Sequence, residues 1–542
     1  MMSRTAHDTI HGRLAQIAHV HAGRTALIDA GGRCSYRELI EQVYRFARLL
    51  HEAGIGPGDR VVLLMPTSIT HTVAVLGCMQ AGAVPSSLHI RESVRTLAEI
   101  AGRLVPRAIV YDLGLRSQAE AVLAAVPSLA VSIGALTPAT PADAAAGGAG
   151  LQRLIPRDLA ALAGDAPPAV PAAATATATA TETDTAAIVM SSGTTSIPKG
   201  VVHTHRTLLA SADNGAHYLL AEPGRCGINV FSTGFIGWYN CTLPYLMAGA
   251  TLVLMTEWDP AQYLRWVQAE RVASCILVPT MWRMVLRSAP DAYDLRSLLR
   301  VGFAGEAMDL DTFRAIRERI CAQVMNSYGA TETGTWAGCT VMLPEDYGDA
   351  ARLDSIGRPA RGVELRIVRQ GGGIDEVLGP NEEGELILRG PSVASEIWQQ
   401  PALTRQKFDH GWWRSGDVGT MDADGYVYLR GRTDDMIVTG GINVLPTAVE
   451  EVICRHPAVR ECVVVGLPSP DWGQLIAAFV VVDRPVSVEE LDAYVCASGL
   501  PGFQRPRRYQ VVDELPRGNT GKVSRKTLRD QHSGIVQAAG AR

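Results

Sequence analysis

Cysteine is sparse in this chain: 10 residues among 542, standing singly from Cys34 to Cys496 with no Cys-x-x-Cys pair. That spacing excludes a zinc ribbon and a disulfide-stapled scaffold, and it predicts reduced thiols, packed mostly as small hydrophobes, in a cytoplasmic protein. Long apolar runs are missing as well. Met1 to His21 holds four histidines and no continuous apolar segment, so neither export nor stable membrane insertion is expected. Neither sign of charge dominates, with 50 Lys and Arg against 55 Asp and Glu for a formal net charge of -5. Nucleic acid and anionic membrane surfaces therefore find no electrostatic reason to bind, and small-molecule chemistry is the better expectation. Gly-x-x-x-x-Gly-Lys-Ser/Thr occurs nowhere, including around Gly521-Lys522, which excludes the phosphate loop of ordinary NTPases.

A chain of this length exceeds a single core and should divide into two or more domains. Its hydrophobic content of 47% and charged content of 19% are those of a globular protein. From about Arg24 to Asp112, strand-like runs (Arg60 to Met65, Ala108 to Tyr111) alternate with amphipathic helical stretches (Tyr36 to Ala53, Thr70 to Ala81). That is the pattern of a parallel α/β layer. Pro138 to Asp184 then turns to low complexity, with Pro167-Pro168 and an Ala/Thr repeat from Ala172 to Thr183. It reads as a surface insertion or linker with a short helix over Leu151 to Leu162. From Ile188 to about Gly390 the alternation returns, with strands at Thr251 to Met255, Ser274 to Val278 and Leu299 to Phe303 and a helix at Pro260 to Arg271. Short strands follow at Leu386 to Arg389, Trp412-Trp413 and Tyr426 to Arg430. From Asp435 a fresh segment carries helices at Pro446 to Arg455, Val488 to Ser498 and Ser524 to Asp530, and strands at Glu461 to Gly466, Leu475 to Val482 and Arg508 to Val512. The expected fold class is α/β: a large N-terminal domain of stacked α/β sheets plus a β-rich subdomain over residues 1–433, and a small α+β domain over 434–542.

Five stretches carry chemistry. Ser191-Ser192-Gly193-Thr194-Thr195-Ser196-Ile197-Pro198-Lys199-Gly200 gathers hydroxyls, glycines and one lysine in a short loop. Glycines let backbone N–H groups approach phosphate oxygens, hydroxyls add neutral donors, and Lys199 adds a point charge. The apolar run Ala186 to Met190 before it reads as a buried strand and Thr204 to Ala210 as a helix start, which sets the loop between strand and helix. In Tyr328-Gly329-Ala330-Thr331-Glu332-Thr333 the tyrosine face can stack on adenine, and the Glu332 carboxylate can hold a magnesium ion that bridges phosphates. Alone, this stretch reads as a strand-to-helix turn capped by Thr331. Ser415-Gly416-Asp417 and Gly431-Arg432-Thr433-Asp434-Asp435 supply a carboxylate for a ribose diol with an arginine nearby; taken singly, each is a hairpin turn. In Pro516 to Arg525, Lys522 is held by glycine beyond the last strand, where it can reach an α-phosphate and a carboxylate oxygen.

In this order, and over nearly all of the chain, these motifs resemble the adenylate-forming superfamily of acyl-CoA synthetases, non-ribosomal peptide adenylation domains and luciferases, its acid:CoA ligase branch in particular. The resemblance implies ATP, magnesium and coenzyme A as cosubstrates and cofactor, and a small carboxylic acid as substrate. It implies an ATP/AMP site of Ser191, Ser192, Gly193, Thr194, Thr195, Lys199, Gly305, Glu306, Ala307, Tyr328, Gly329, Asp417 and Arg432, with Ala307 standing where the family's proline is common. Catalytic roles fall to Lys522, Thr331 and Glu332, the last also binding the metal. Asp434 becomes the hinge of a mobile small domain, and Gly440-Gly441 leaves room for a pantetheine arm. The acyl pocket is read from Phe235, Trp238, Tyr239, Gly302 and Trp336; these aromatics also suit a plain core. No arginine or lysine in those segments pairs a second carboxylate, so an apolar monocarboxylic acid is expected, aromatic or of short to medium chain. Arg505, Arg507 and Arg508 can meet the phosphates of coenzyme A or form a solvated basic turn. His203-x-His205 has the look of a metal pair but no third ligand in reach by sequence; by resemblance His205 is structural. Ser196, Arg517 and Glu396-Ile397 depart from the family pattern without removing a charged catalytic group. A carrier-protein thiol as acceptor, a degenerate nucleotide-binding protein, and a homodimer all remain open at this point.

Overall fold

The computed structural model describes residues 9–141, 180–191, 198–306, 308–334, 339–349, 352–439, 442–469, 472–518 and 523–532. The chain forms two compact units. The first comprises Met1–Leu365 and Leu388–Trp413, the second Arg366–Ile387 and Arg414–Arg542. The break read from sequence at Asp434 therefore falls inside the second unit, because the β-rich segments before it cluster with the C-terminal sheet.

In the first unit, a four-stranded parallel sheet runs in the order Val84–Ser87, Arg60–Leu64, Ala108–Asp112, Val131–Ala135. Its Val-, Leu- and Ile-rich strands are buried on both faces, as parallel strands covered by helices must be. A three-stranded antiparallel sheet holds β1 (Thr185–Ser191), β2 (Lys199–Thr204) and the short strand Glu396–Ile397. Helix α1 (His205–Tyr218) follows β2 directly, capped by the Thr204 hydroxyl, which accepts from Thr207 N. Helix α2 (Ile236–Met247) is apolar nearly all round, and its residues from Trp238 to Met247 are buried, as befits a helix with protein on every side.

The largest sheet has nine strands, six of them parallel at its centre. At one end of that parallel run lie β3 (Arg300–Ala304) and β4 (Val324–Tyr328), paired in register Ala304↔Ser327. Antiparallel strands close both edges, Thr340–Met342 beside β4 and Gly32–Ser35 at the far side. Among the described residues no helix is long and apolar enough to cross a membrane.

The second unit contains the antiparallel pair β5 (Trp412–Met421) and β6 (Val427–Arg432), the former entering from the first unit. A five-stranded sheet then holds the C-terminal part, built on the long hairpin of β7 (Val459–Ser469) and β8 (Gly473–Val482). Helix α3 (Pro446–Cys454) packs on β7, and so does the last helix, α4 (Arg525–His532). The architecture is α/β with stacked sheets, a β-rich segment and a C-terminal α+β part, as the alternation of patterns predicts.

Candidate active site

The glycine- and hydroxyl-rich loop is the connection of a hairpin. β1 and β2 pair antiparallel with Ser191 opposite Lys199, so these two residues form the mouth of the hairpin. The helix start read at Thr204 holds, with His205–Tyr218 behind the Thr204 cap; what the sequence reading missed is the strand Lys199–Thr204 before it, buried through Gly200–His203. The β-branched pair Val201-Val202 suits a strand filling this sheet and accounts for the difference.

Against this hairpin lies the short helical turn Thr331–Thr333. Its backbone is held from four directions. His203 Nε2 lies 2.9 Å from the Thr331 carbonyl, Ala394 N donates to the Glu332 carbonyl at 2.7 Å, Ser211 Oγ donates to the Gly334 carbonyl at 2.7 Å, and Ala330 N donates to Thr333 Oγ1 at 3.0 Å. Gly334 ends the turn at φ 74, and a Cβ there would stand 2.5 Å from the Ser392 carbonyl oxygen, so this close approach requires glycine. Thr333 is fully buried, whereas Thr331 and Glu332 are half-buried and carried at the rim.

His203 is fully buried, and desolvation lowers its pKa to about 4. A carbonyl can only accept, so the neutral ring must carry its proton on Nε2. His205 is likewise buried, with its pKa lowered to about 3 by desolvation first and the neighbouring His11 second; its Nδ1 accepts from Ile10 N at 3.3 Å. The two histidines thus serve different parts of the scaffold. Among the described residues no group of three or more His, Cys, Asp or Glu is placed to hold a metal.

Tyr328 ends β4 and Gly329 follows it; Gly305 and Glu306 follow β3. With Thr331 and Glu332, they share the carboxyl ends of neighbouring parallel strands, the edge at which open α/β sheets collect ligands. In the second unit Asp417 and Arg432 are cross-strand partners on β5 and β6. Arg432 Nη1 donates to Asp417 Oδ1 at 2.5 Å, and its Nη2 lies 3.7 Å from Asp434 Oδ2. Asp417 is buried, its amide donates to Ser415 Oγ, and Gly416 is fixed by Thr433 Oγ1 donating to its carbonyl. A carboxylate oriented in this way by an arginine on one side is suited to a diol.

Of the aromatic candidates, Trp238 and Tyr239 are core rings of α2, packed edge-on to each other, whereas Phe235 is half-buried against His89. Gly302 lies within β3, where a Cβ would meet Ile276 at 3.0 Å and Met325 at 3.2 Å. Arg505 is committed to Asp492, and Arg507 lies over Trp472. Ser192, Gly193, Thr194, Thr195, Ala307, Trp336, Gly440, Gly441 and Lys522 lie outside the described residues, as does the helix read over Leu151 to Leu162. The residues that sequence reading missed are His203, Ser211 and Ala394, which hold the Thr331 turn. Only the His203-x-His205 spacing drew attention to any of them, and it pointed to a metal.

Buried neutral histidines make the fold acid-labile. Desolvation lowers the pKa of His11 and His203 to about 4 and that of His71 and His205 to about 3, from an ordinary 6.5. Above 6.5 folded and unfolded chains are both neutral at these rings. Below it the unfolded chain binds protons that the folded one refuses, so stability falls as pH drops through 6.5 toward 4. Urea denaturation at stepped pH should show this decline, and His203→Gln should flatten it by about one proton between pH ~6.5 and ~5, before carboxylates titrate. Identical slopes for the two proteins would contradict the assignment.

Comparison with known proteins gives this geometry its family. The profile of the AMP-binding enzymes matches residues 14–398, and that of the AMP-binding enzyme C-terminal domain matches residues 448–522. The chain is 30% identical over 540 residues to a 4-chlorobenzoate–CoA ligase of an Arthrobacter species, covering 97% of this chain and 95% of that one. It is 29% identical to the fatty acid–[acyl-carrier-protein] ligase ScoC of Streptomyces coeruleorubidus, over 98% of this chain and 99% of that one. Its fold superposes on ATP-bound MatB of Rhodopseudomonas palustris with TM-score 0.81 and 26% identity, covering 98% of this chain and 99% of that one. The chain belongs to the AMP-binding enzyme family, in the acid:CoA ligase branch of the adenylate-forming superfamily, and is an acid–thiol ligase of the AMP-forming type.

Proposed function

We propose that this enzyme activates an apolar monocarboxylic acid, aromatic or of short to medium chain, as an acyl-AMP with release of pyrophosphate, and passes the acyl group to the thiol of coenzyme A. The observation that carries the reading is the Thr331–Thr333 turn, clamped by His203 and Ala394 beside the Ser191/Lys199 hairpin mouth. A hydroxyl and a lysine to donate to phosphate oxygens, beside a carboxylate able to take a bridging magnesium, are the groups a triphosphate needs.

In this reading the loop from Ser191 to Lys199 grips the β- and γ-phosphates and steadies the leaving pyrophosphate. Tyr328 offers its face to adenine, flanked by Gly305, Glu306 and Ala307. Asp417 accepts the ribose hydroxyls, with Arg432 holding its carboxylate in place. Thr331 donates to the α-phosphate, and Glu332 is a hard oxygen ligand of the kind magnesium prefers. When bound there, magnesium would neutralise charge on the phosphate oxygens. The substrate carboxylate attacks the α-phosphorus, the bond to the bridging oxygen of pyrophosphate breaks, and Lys522 stabilises the charge shared by both reactants. A thiolate then attacks the acyl carbonyl and AMP leaves.

The two steps need different walls around one intermediate, which motivates a domain of residues 434–542 rotating about Asp434 against residues 1–433. Lys522 would serve the first step and Gly440-Gly441 the second. Phe235, Gly302 and Trp336 would line the acyl group, with Trp238 and Tyr239 behind them. A carrier-protein thiol as acceptor is the second reading, favoured by the full-length likeness to ScoC.

Pyrophosphate release across a panel of carboxylic acids, with and without coenzyme A, tests the proposal. Lys522→Ala should abolish release yet leave thioester formation from supplied acyl-AMP; equal loss of both would contradict the division of labour. His203→Ala removes the donor to Thr331 and should slow acid-dependent release by about tenfold or more, while His203→Gln, which keeps an amide N–H, should recover much of it. Equal rates for these two variants would show that the clamp does not position the turn.

A further inference from the structure

In the second unit the strand Gly384–Arg389 pairs with β5 and brings Glu385 to Arg414. A buried carboxylate needs a donor for each oxygen, and Glu385 has one for each. Its Oε2 accepts from Arg414 Nη1 at 2.6 Å, and its Oε1 accepts from the Gly416 amide at 3.3 Å. The Glu385 and Arg414 side chains are only 10% and 17% exposed, so water competes little for either. Arg414 is engaged at its other nitrogen too, where Nη2 donates to the Gly372 carbonyl.

Gly416 is the residue this pair reaches. It stands at φ 73, in the left-handed region that glycine adopts freely, immediately before Asp417. Side chains hold both of its polar backbone groups: Glu385 takes the amide, and Thr433 Oγ1 donates to the carbonyl at 2.8 Å. Ser415 Oγ donates to the Leu386 carbonyl at 2.7 Å and accepts from the Asp417 amide at 2.9 Å. The backbone that carries Asp417 is therefore tied to the strand Gly384–Arg389 twice, at Leu386 through Ser415 and at Glu385 through Gly416. Arg432 then fixes the Asp417 carboxylate at Oδ1. A carboxylate serves both hydroxyls of a diol only in a narrow range of orientations, so a rotation of the Gly416 peptide is felt at Asp417 as a misplaced acceptor.

We propose that Glu385 is a positioning residue for ribose recognition: by holding the Gly416 amide it aims Asp417 at the 2′- and 3′-hydroxyls, and it thereby sets the preference for a ribonucleotide over its deoxy analogues, a reading that rests on the ribose role given above to Asp417. Arg414 orients Glu385 for this task. Glu385→Gln separates the two contacts of the carboxylate at constant shape. A carboxamide has one acceptor oxygen for two donors, and the charged guanidinium takes it in preference to the neutral amide. The glutamine NH2 then faces the Gly416 N–H, donor against donor, while Arg414 stays paired. Glu385→Leu combined with Arg414→Met removes the same acceptor without leaving a buried charge behind.

Isothermal titration calorimetry of the full-length enzyme with ATP, 2′-deoxy-ATP and 3′-deoxy-ATP, in the absence of any acid, reads the ribose contact apart from catalysis. The unsubstituted enzyme should bind ATP about tenfold tighter than either deoxy nucleotide. In Glu385→Gln and in the double variant, ATP should bind about tenfold more weakly and the deoxy nucleotides nearly as before, so that the preference collapses. With an acid that turns over, KM for ATP should rise about tenfold at a kcat within about twofold of the original. Asp417→Asn is the reference. Equal weakening of all three nucleotides in the Glu385 variants marks a merely structural role and overturns the proposal. So does a preserved preference in those variants when Asp417→Asn abolishes it. Should Asp417→Asn itself keep the preference, the ribose role of Asp417 fails, and the positioning role of Glu385 with it.

Discussion

A buried imidazole can hold a buried carbonyl only while it stays neutral, and the bond from His203 Nε2 to the Thr331 carbonyl depends on that constraint. The turn it holds has to present Thr331 and Glu332 at a rim, so its own polar backbone groups must be satisfied from behind. His203, Ser211 and Ala394 do this from three separate segments. The consequence is a turn whose geometry is set by the sheet and helix around it, and in the proposed function this is the preorganisation that electrostatic stabilisation requires.

The same logic recurs in the second unit at a different strength. Asp417 and Arg432 face each other across two antiparallel strands, so their pairing is fixed by register as well as by attraction. Further on, Glu450 and Arg525 tie α3 to α4, with the Val464 amide and Asp435 as additional partners. A buried ion pair gains little net stability, but removing one partner leaves a buried charge. Such networks therefore fix where a helix begins, and here they hold the first residue of α4.

Much of this was legible in the sequence because it is local. Arg60–Leu64, Pro260–Ala269 and Val488–Ala497 announce themselves by period and by capping residues, within a residue or two of their ends. The motifs at Tyr328 to Glu332 and at Asp417 were equally visible, since strand-end glycines, hydroxyls and acids cluster along the chain. What sequence could not show is long-range. The strand Lys199–Thr204 was hidden because the loop motif runs through Gly200 and the helix begins at the Thr204 cap, leaving only Val201 to His203 to announce a strand whose partner is β1. His203 looked like half of a metal pair because its partner, Thr331, lies 128 positions away.

The central claim is that the acid attacks the α-phosphate of ATP. It is tested most directly by supplying a carboxylic acid labelled with heavy oxygen in its carboxylate, running the full reaction with ATP and coenzyme A, and reading the products by mass spectrometry. The account predicts one labelled oxygen in AMP and none in pyrophosphate. Label in inorganic phosphate with ADP as the nucleotide product, or thioester formed with no label in AMP, would contradict it.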